Sequence, residues 1–152
     1  LALVNGDLVI SNRSLKTLRG KDKLFQDLSL YLLEKVGTDP MTPTYGSTLD
    51  GGYLDGQEIP PFIGRTLNPL VEGKIQAEVY RVVLSYQLGQ LDKIKSEASI
   101  YQGKNTLDPD EVIQSIDSIT TTSVGTTVVV NVQVTTMSAS QVSLILPIVQ
   151  TT

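Results

Sequence analysis

The chain of 152 residues is 40% hydrophobic and 18% charged, which suits one packed core and argues against wholesale disorder. Its formal net charge is −4 and it has no basic stripe of the kind that phosphate backbones require, so nucleic acid is not expected as a partner. It contains no Cys, His or Trp, which excludes disulfides, thiolate zinc sites and every Ser-His or Cys-His nucleophile pair.

The first ten residues, LALVNGDLVI, set Asn5-Gly6 between apolar pairs. That dipeptide favours a two-residue turn, because both central positions need positive φ, and a short hairpin is predicted. Neither a secretory signal nor a membrane span is expected, since no apolar run approaches ~20 residues. Extended chain from Leu15 to Leu18 leads towards Gly20, and the basic cluster of Lys16, Arg19, Lys21 and Lys23 is broken by Asp22. Such a mixed run reads as a solvated face around a helix start.

Residues 21–36 predict an amphipathic helix, with Leu24, Leu28, Leu32 and Val36 on one stripe and Phe25 and Leu33 widening it. Gly37 is the expected left-handed cap, with Pro40 just beyond. Residues 38–63 then carry Pro40, Pro43, Pro60 and Pro61 among Gly46, Gly51, Gly52 and Gly56, a density of breakers that predicts a long irregular connection. Asn68-Pro69 opens the second helical region as N-cap and first helical residue. Its stripe of Val71, Ile75, Val79, Val82 and Tyr86 shifts after Gly89 to Leu91, Ile94, Ala98 and Tyr101. Either one helix bends near Gly89 or two helices meet there, and Gly103 and Asn105 close the region.

Residues 104–152 form a β-rich portion. Val112, Ile116 and Ile119 lead into a threonine-rich stretch, and residues 126–136, TTVVVNVQVTT, alternate Val128, Val130, Val132 and Val134 with mostly polar positions. That period of two predicts a half-buried strand. A third strand from Val142 to Val149 alternates through Leu144 and Leu146, with Pro147 placing it at an edge or a bulge. Turns are expected at Ser123–Gly125 and Ser138–Ser140. The predicted fold is α+β: two main helices packed on a small C-terminal antiparallel sheet, with a short N-terminal hairpin, all in one domain over residues 1–152.

With His and Cys absent, catalysis would fall to carboxylates such as Glu34, Asp50, Asp55 and Glu58. Glu34 reads as a solvated helix position and the loop acids as turn formers. Asp108, Asp110 and Glu111 lack the spacing and central Gly of a calcium loop, and Asp108-Pro109 more simply starts a turn. Asp50-Gly51-Gly52 is followed by no Gly-Lys-Ser/Thr, so it is no phosphate loop. Tyr86 and Tyr101 lie on helix stripes, where packing is the ordinary role. No catalytic residue, metal or cofactor is predicted.

The segment LRGKDKLFQDLSLYLLEKVGTDPMTPTYGSTL, from Leu18 to Leu49, resembles the baseplate wedge family of contractile phage tails, the sheath initiators also called lysozyme-like wedge proteins. The motif residues are Gln26, Gly37, Pro43, Tyr45, Gly46 and Leu49, with Gly46 expected to let Tyr45 fold back onto the first helix. Family members often carry Glu-Pro-Arg before the final strands. This chain has Asp108-Pro109-Asp110, so only the turn of a wedge-docking site carries over, at Asp108 and Pro109. The region from Leu88 to Gly103 is longer than the family pattern.

The resemblance implies a non-enzymatic virion protein of the tail baseplate, made in the host cytoplasm and present in six copies. Its implied partners are the sheath protein, the baseplate wedge proteins and the tail tube or hub, with no membrane and no nucleic acid. Sheath pairing would fall to the strands of Val128, Val130, Val132, Val134, Val142, Leu144 and Leu146, by β-augmentation. The equivalent component of a type VI secretion or extracellular contractile injection system is the alternative. A carboxylate-based glycosidase and a free-standing binding module are further readings.

Overall fold

A computed structural model of the chain describes residues 17–62, 64, 68–100 and 106–149, preceded by the backbone of four two-residue strands. Strands β1 (Leu3–Val4) and β2 (Asp7–Leu8) pair antiparallel with Val4 opposite Asp7, so they bracket Asn5-Gly6 as the sequence predicts. A second small hairpin, β3 (Ile10–Ser11) with β4 (Ser14–Leu15), begins before the expected extended lead-in.

Helix α1 spans Gly20–Leu33 and buries Leu24, Leu28, Tyr31 and Leu32. Phe25 and Leu33 do not widen the buried stripe; they are 44% and 64% exposed. Gly37 is not the helix cap either. The helix stops at Leu33, and the chain continues as β5 (Lys35–Val36) before Gly37 turns at φ +80°. Its terminal carbonyls are satisfied from a distance: Ser47 donates its hydroxyl to Leu32 O at 2.6 Å and its amide to Glu34 O at 2.8 Å.

Residues 38–63 are not the irregular connection their composition predicts. They include β6 (Ser47–Leu54) and β7 (Gln57–Ile59), with β5 parallel to β6 and β7 antiparallel to it. Asp55-Gly56 makes the hairpin turn with both residues at positive φ, 51° and 76°. The glycines permit close approach: a Cβ on Gly52 would run into the Val36 carbonyl oxygen.

Helix α2 is one continuous helix, Pro69–Ile100, of 32 residues. Asn68 caps it, its Oδ1 accepting from Val71 N at 3.0 Å, and Gly89 lies exposed within it. Tyr101, Gly103 and Asn105 lie outside the described residues. Then come β8 (Ile113–Val124), β9 (Thr127–Thr136) and β10 (Gln141–Val149), an antiparallel sheet in the order β10-β9-β8. The architecture is the predicted α+β, and Pro147 sits on an edge strand.

Both helices pack on one face of this sheet, α2 over β8 and α1 over β10. Val128, Val130, Val132 and Val134 of β9 are at most 1% exposed, and Val142, Leu144, Leu146 and Ile148 of β10 at most 8%. They share one core with the buried side chains of α1 and α2. The apolar residues named as pairing elements are therefore spent on the chain's own core, which leaves a partner the backbone and the opposite face of these strands.

Candidate assembly surface

The first half of the outer edge of β8, from Ile113 to Ile119, is capped by α2. Gln76 donates through Nε2 to Ile119 O, and Gln87 to the carbonyls of Ile113 (3.2 Å) and Gln114 (3.0 Å). Gln90 is 7% exposed and works both ways, donating to Glu111 O at 2.6 Å and accepting from Ile113 N at 3.0 Å. Positions 76, 87 and 90 fall on one helix face, because eleven residues make close to three turns. Register shifts between Ile113 and Ser115 and between Ile116 and Ser118 further break this edge for pairing.

The outer edge of β10 has no such cover among the described residues. Among the described residues its only ladder partner is β9, with Val142 opposite Val134, Leu144 opposite Val132 and Pro147 opposite Val129. Proline has no amide hydrogen, so in a regular ladder it occupies a non-hydrogen-bonded pair. The alternation then turns the backbone groups of Gln141, Ser143 and Ile145 outward as well. The capped Ile119 carbonyl, opposite Val132 on the other side of β9, agrees with this parity. The side chains of Gln141, Ser143, Ile145 and Pro147 are exposed on the polar face, where Ser143 Oγ donates to Asn131 Oδ1 at 2.9 Å.

Beside this edge, α1 and β6 border an apolar notch of about 240 Å³ lined by Leu32, Leu33, Leu49, Asp50, Leu146, Pro147 and Ile148. Leu33 also lines a second groove on α1, with Leu18, Phe25, Gln26 and Leu30. This is where Gln26 lies, half-buried on the groove wall. The apolar strip on α1 thus runs up to the open edge of the sheet.

The remaining motif residues gather at the end of α1. Tyr45 packs edge-on against Tyr31, ring centroids 4.2 Å apart, as its position beside Gly46 implies. Gly46 has φ +105°, and a Cβ there would meet Glu34 O at 2.6 Å. Pro43 lies in the exposed turn before Tyr45, and Leu49 is in the core at 3% exposure. Sequence reasoning missed the pair that pins this loop. Buried Glu78 accepts from Thr48 N at 2.6 Å and from Arg81 Nη2 at 2.7 Å, while Arg81 Nη2 also donates to Gly46 O at 3.3 Å. The Glu78 hydrogen bond and charge outweigh burial and raise the Arg81 pKa. The signal was present: Glu78 follows Ile75 by three, on the apolar stripe.

Asp108 and Pro109 do form a turn, closed by Glu111 N to Asp108 O at 2.8 Å. Its acids serve the chain's own contacts. Glu111, 6% exposed, accepts from Gly20 N at 3.0 Å at the start of α1 and lies 3.5 Å from Lys23 Nζ, which also pairs with Asp27 at 2.9 Å. Lys23 is therefore no solvated charge. Burial lowers its pKa, but the bonds and charges of Asp27 and Glu111 outweigh that and raise it. Tyr86 donates to Asp27 Oδ2 at 3.1 Å, and burial, reinforced by the Asp27 charge, pushes its phenol far above the ordinary range.

Glu34, Asp50, Asp55 and Glu58 are all exposed, and Glu34 accepts from the Thr38 hydroxyl at 3.0 Å. Among the described residues no group of three or more His, Cys, Asp or Glu side chains could hold a metal, and no helix is long and apolar enough to cross a membrane.

The fold and this surface define an α+β module with one sheet edge partly capped by its own helix and the other unpaired among the described residues. Its fold matches the crystal structure of a protein from Geobacter sulfurreducens provisionally described as a tail lysozyme. The match covers 96% of this chain and 98% of that one, at a TM-score of 0.51 and 13% sequence identity. The two chains therefore share a fold. No protein-family model matches the sequence, and no curated protein is detectably similar to it.

Proposed function

We propose that the chain is a structural, non-catalytic component of a contractile tail, placed at the baseplate between wedge, tube and first sheath ring. In this reading the outer edge of β10 accepts an extended strand from a sheath subunit and so starts sheath assembly, with six copies arranged around the tube. One observation carries it: glutamines of α2 bond the β8 backbone at Ile113, Gln114 and Ile119, whereas β10 turns outward backbone groups that no described residue pairs. Exposed edges of this kind are ordinarily blunted or covered, so an edge kept open is best understood as reserved for a partner. The shared fold with a tail-associated protein supports the setting.

Ser143→Pro tests the edge. By the parity that Pro147 sets, the variant removes an outward amide and no ladder bond to β9. Sheath assembly on purified baseplates is expected to fail while the thermal unfolding of the isolated protein stays close to wild type. Normal sheaths on variant baseplates would reject the reading.

The non-catalytic part is tested separately, by incubating the protein with peptidoglycan and following turbidity. No clearing above buffer is expected. Clearing that Glu34→Gln abolishes would restore the glycosidase reading.

A further inference from the structure

We infer that the segment received by β10 is an extended stretch of a different polypeptide whose alternate residues are apolar, one of them a large aliphatic or aromatic side chain seated in the notch between α1 and the sheet edge. The inference rests on the open-edge reading above and adds to it the chemistry of the occupant.

A strand laid along β10 continues the sheet, so every second side chain points to the face that the helices cover. On that face it meets a mostly apolar surface. It meets Leu33, 64% exposed, and the notch of about 240 Å³ walled by Leu32, Leu49, Leu146 and Ile148. Through Leu33 the notch runs on into the groove of Phe25 and Leu30, 44% and 43% exposed. A polar side chain directed there would lose water and gain no partner, whereas an apolar one removes both surfaces from water. Exposed Asp50 on the rim is an acceptor for a Lys or Arg next to the buried position.

Pro147 sets the register. It removes one outward donor and keeps its carbonyl as an acceptor, so Gln141, Ser143 and Ile145 offer an uninterrupted run of both donors and acceptors. A short segment suffices, and its apolar residue must lie at the Leu146–Ile148 end.

A second copy of this chain is a poorer occupant. Its own edge strand would bring Val142, Leu144, Leu146 and Ile148, which are already buried in its own core and cannot enter the notch. It would also bring its own α1 over the same face, into the strip that an added strand's side chains would fill.

The test tethers candidate strands to the full chain through a flexible Gly-Ser linker of about 15 residues at the C-terminus, which raises their effective concentration and allows either orientation. Three tethered strands are compared by thermal unfolding: one alternating Thr with Val and Leu, one with Lys at the Val and Leu positions, and one with Pro at every second position. The alternating strand is expected to raise Tm by roughly 5 °C and the other two to leave it unchanged. Leu33→Ser in the host is expected to remove about half of the rise.

A Lys-bearing strand that stabilises equally well, or a rise that Leu33→Ser leaves untouched, would overturn the apolar selection and leave the open edge standing. No rise with any strand, or an equal rise with the Pro-bearing one, would overturn the open edge as well. Sedimentation of the untethered protein as a dimer that Ser143→Pro converts to monomer would make a second copy the occupant and overturn the inference.

Discussion

Along β8, three glutamines from α2 reach the outer backbone between Ile113 and Ile119 and two register shifts distort it; along β10, no described residue pairs the outer backbone, and Pro147 interrupts its donors. Both strands pair with the same central partner, β9, and both give apolar side chains to the same core. Interior packing therefore does not explain why one edge is finished and the other left. The difference lies in which helix sits above. α2 carries amides on the face it turns to β8, whereas α1 carries Phe25, Leu30 and Leu33 towards solvent beside β10. An amide can close a strand edge, and a leucine can only wait for another apolar surface.

The most damaging way to break this contrast is to remove β10. Deleting residues 137–152 takes four buried apolar side chains out of the core, each contributing about 1.5–3 kcal/mol, against a total stability of about 5–15 kcal/mol for a domain. The truncated chain is expected to lose cooperative unfolding by circular dichroism. A soluble two-helix remnant, which the sequence alone would allow, is not expected from a strand so deeply shared.

A finer probe separates the two faces of the same strand. Leu144→Ala, at 2% exposure, is expected to cost about 2–5 kcal/mol in urea denaturation, and Ile145→Ala, at 60%, no more than about 0.5 kcal/mol. Equal losses would mean that β10 is buried on both faces. A loss between these two is expected on the capped part of β8. Gln90→Ala leaves Ile113 N–H and Glu111 C=O without their partner and should cost about 1–3 kcal/mol, with faster amide exchange at Ile113. If exchange there is unchanged, α2 does not seal β8.

The sequence carried the helices and the C-terminal sheet because each repeats one period over a long stretch: leucines four apart in α1, valines two apart in β9. It misled over residues 38–63, where Gly51 and Gly52 hide strand β6. Those glycines are required by close backbone approach, Gly51 to Ile59 and Pro61 and Gly52 to Val36, a tertiary constraint that local pattern cannot express. Asp55-Gly56 was a legible hairpin signal, masked by the breakers around it. Gly37 looked like a helix cap because the actual capping groups, on Ser47, lie far along the chain. The assembly surface was half legible: the edge position of β10 follows from Pro147, but its openness depends on which helix overhangs it. The glutamines at 76, 87 and 90 share a helix face, yet nothing local says that a strand's carbonyls await them.

Pro147 has one more consequence. Cross-β stacking needs an unbroken run of donors and acceptors repeated from molecule to molecule, and a proline in the recruiting segment interrupts that repeat at every layer. The ring therefore acts as a brake on self-stacking of this edge, and Pro147→Val is expected to hasten fibril formation in a thioflavin assay.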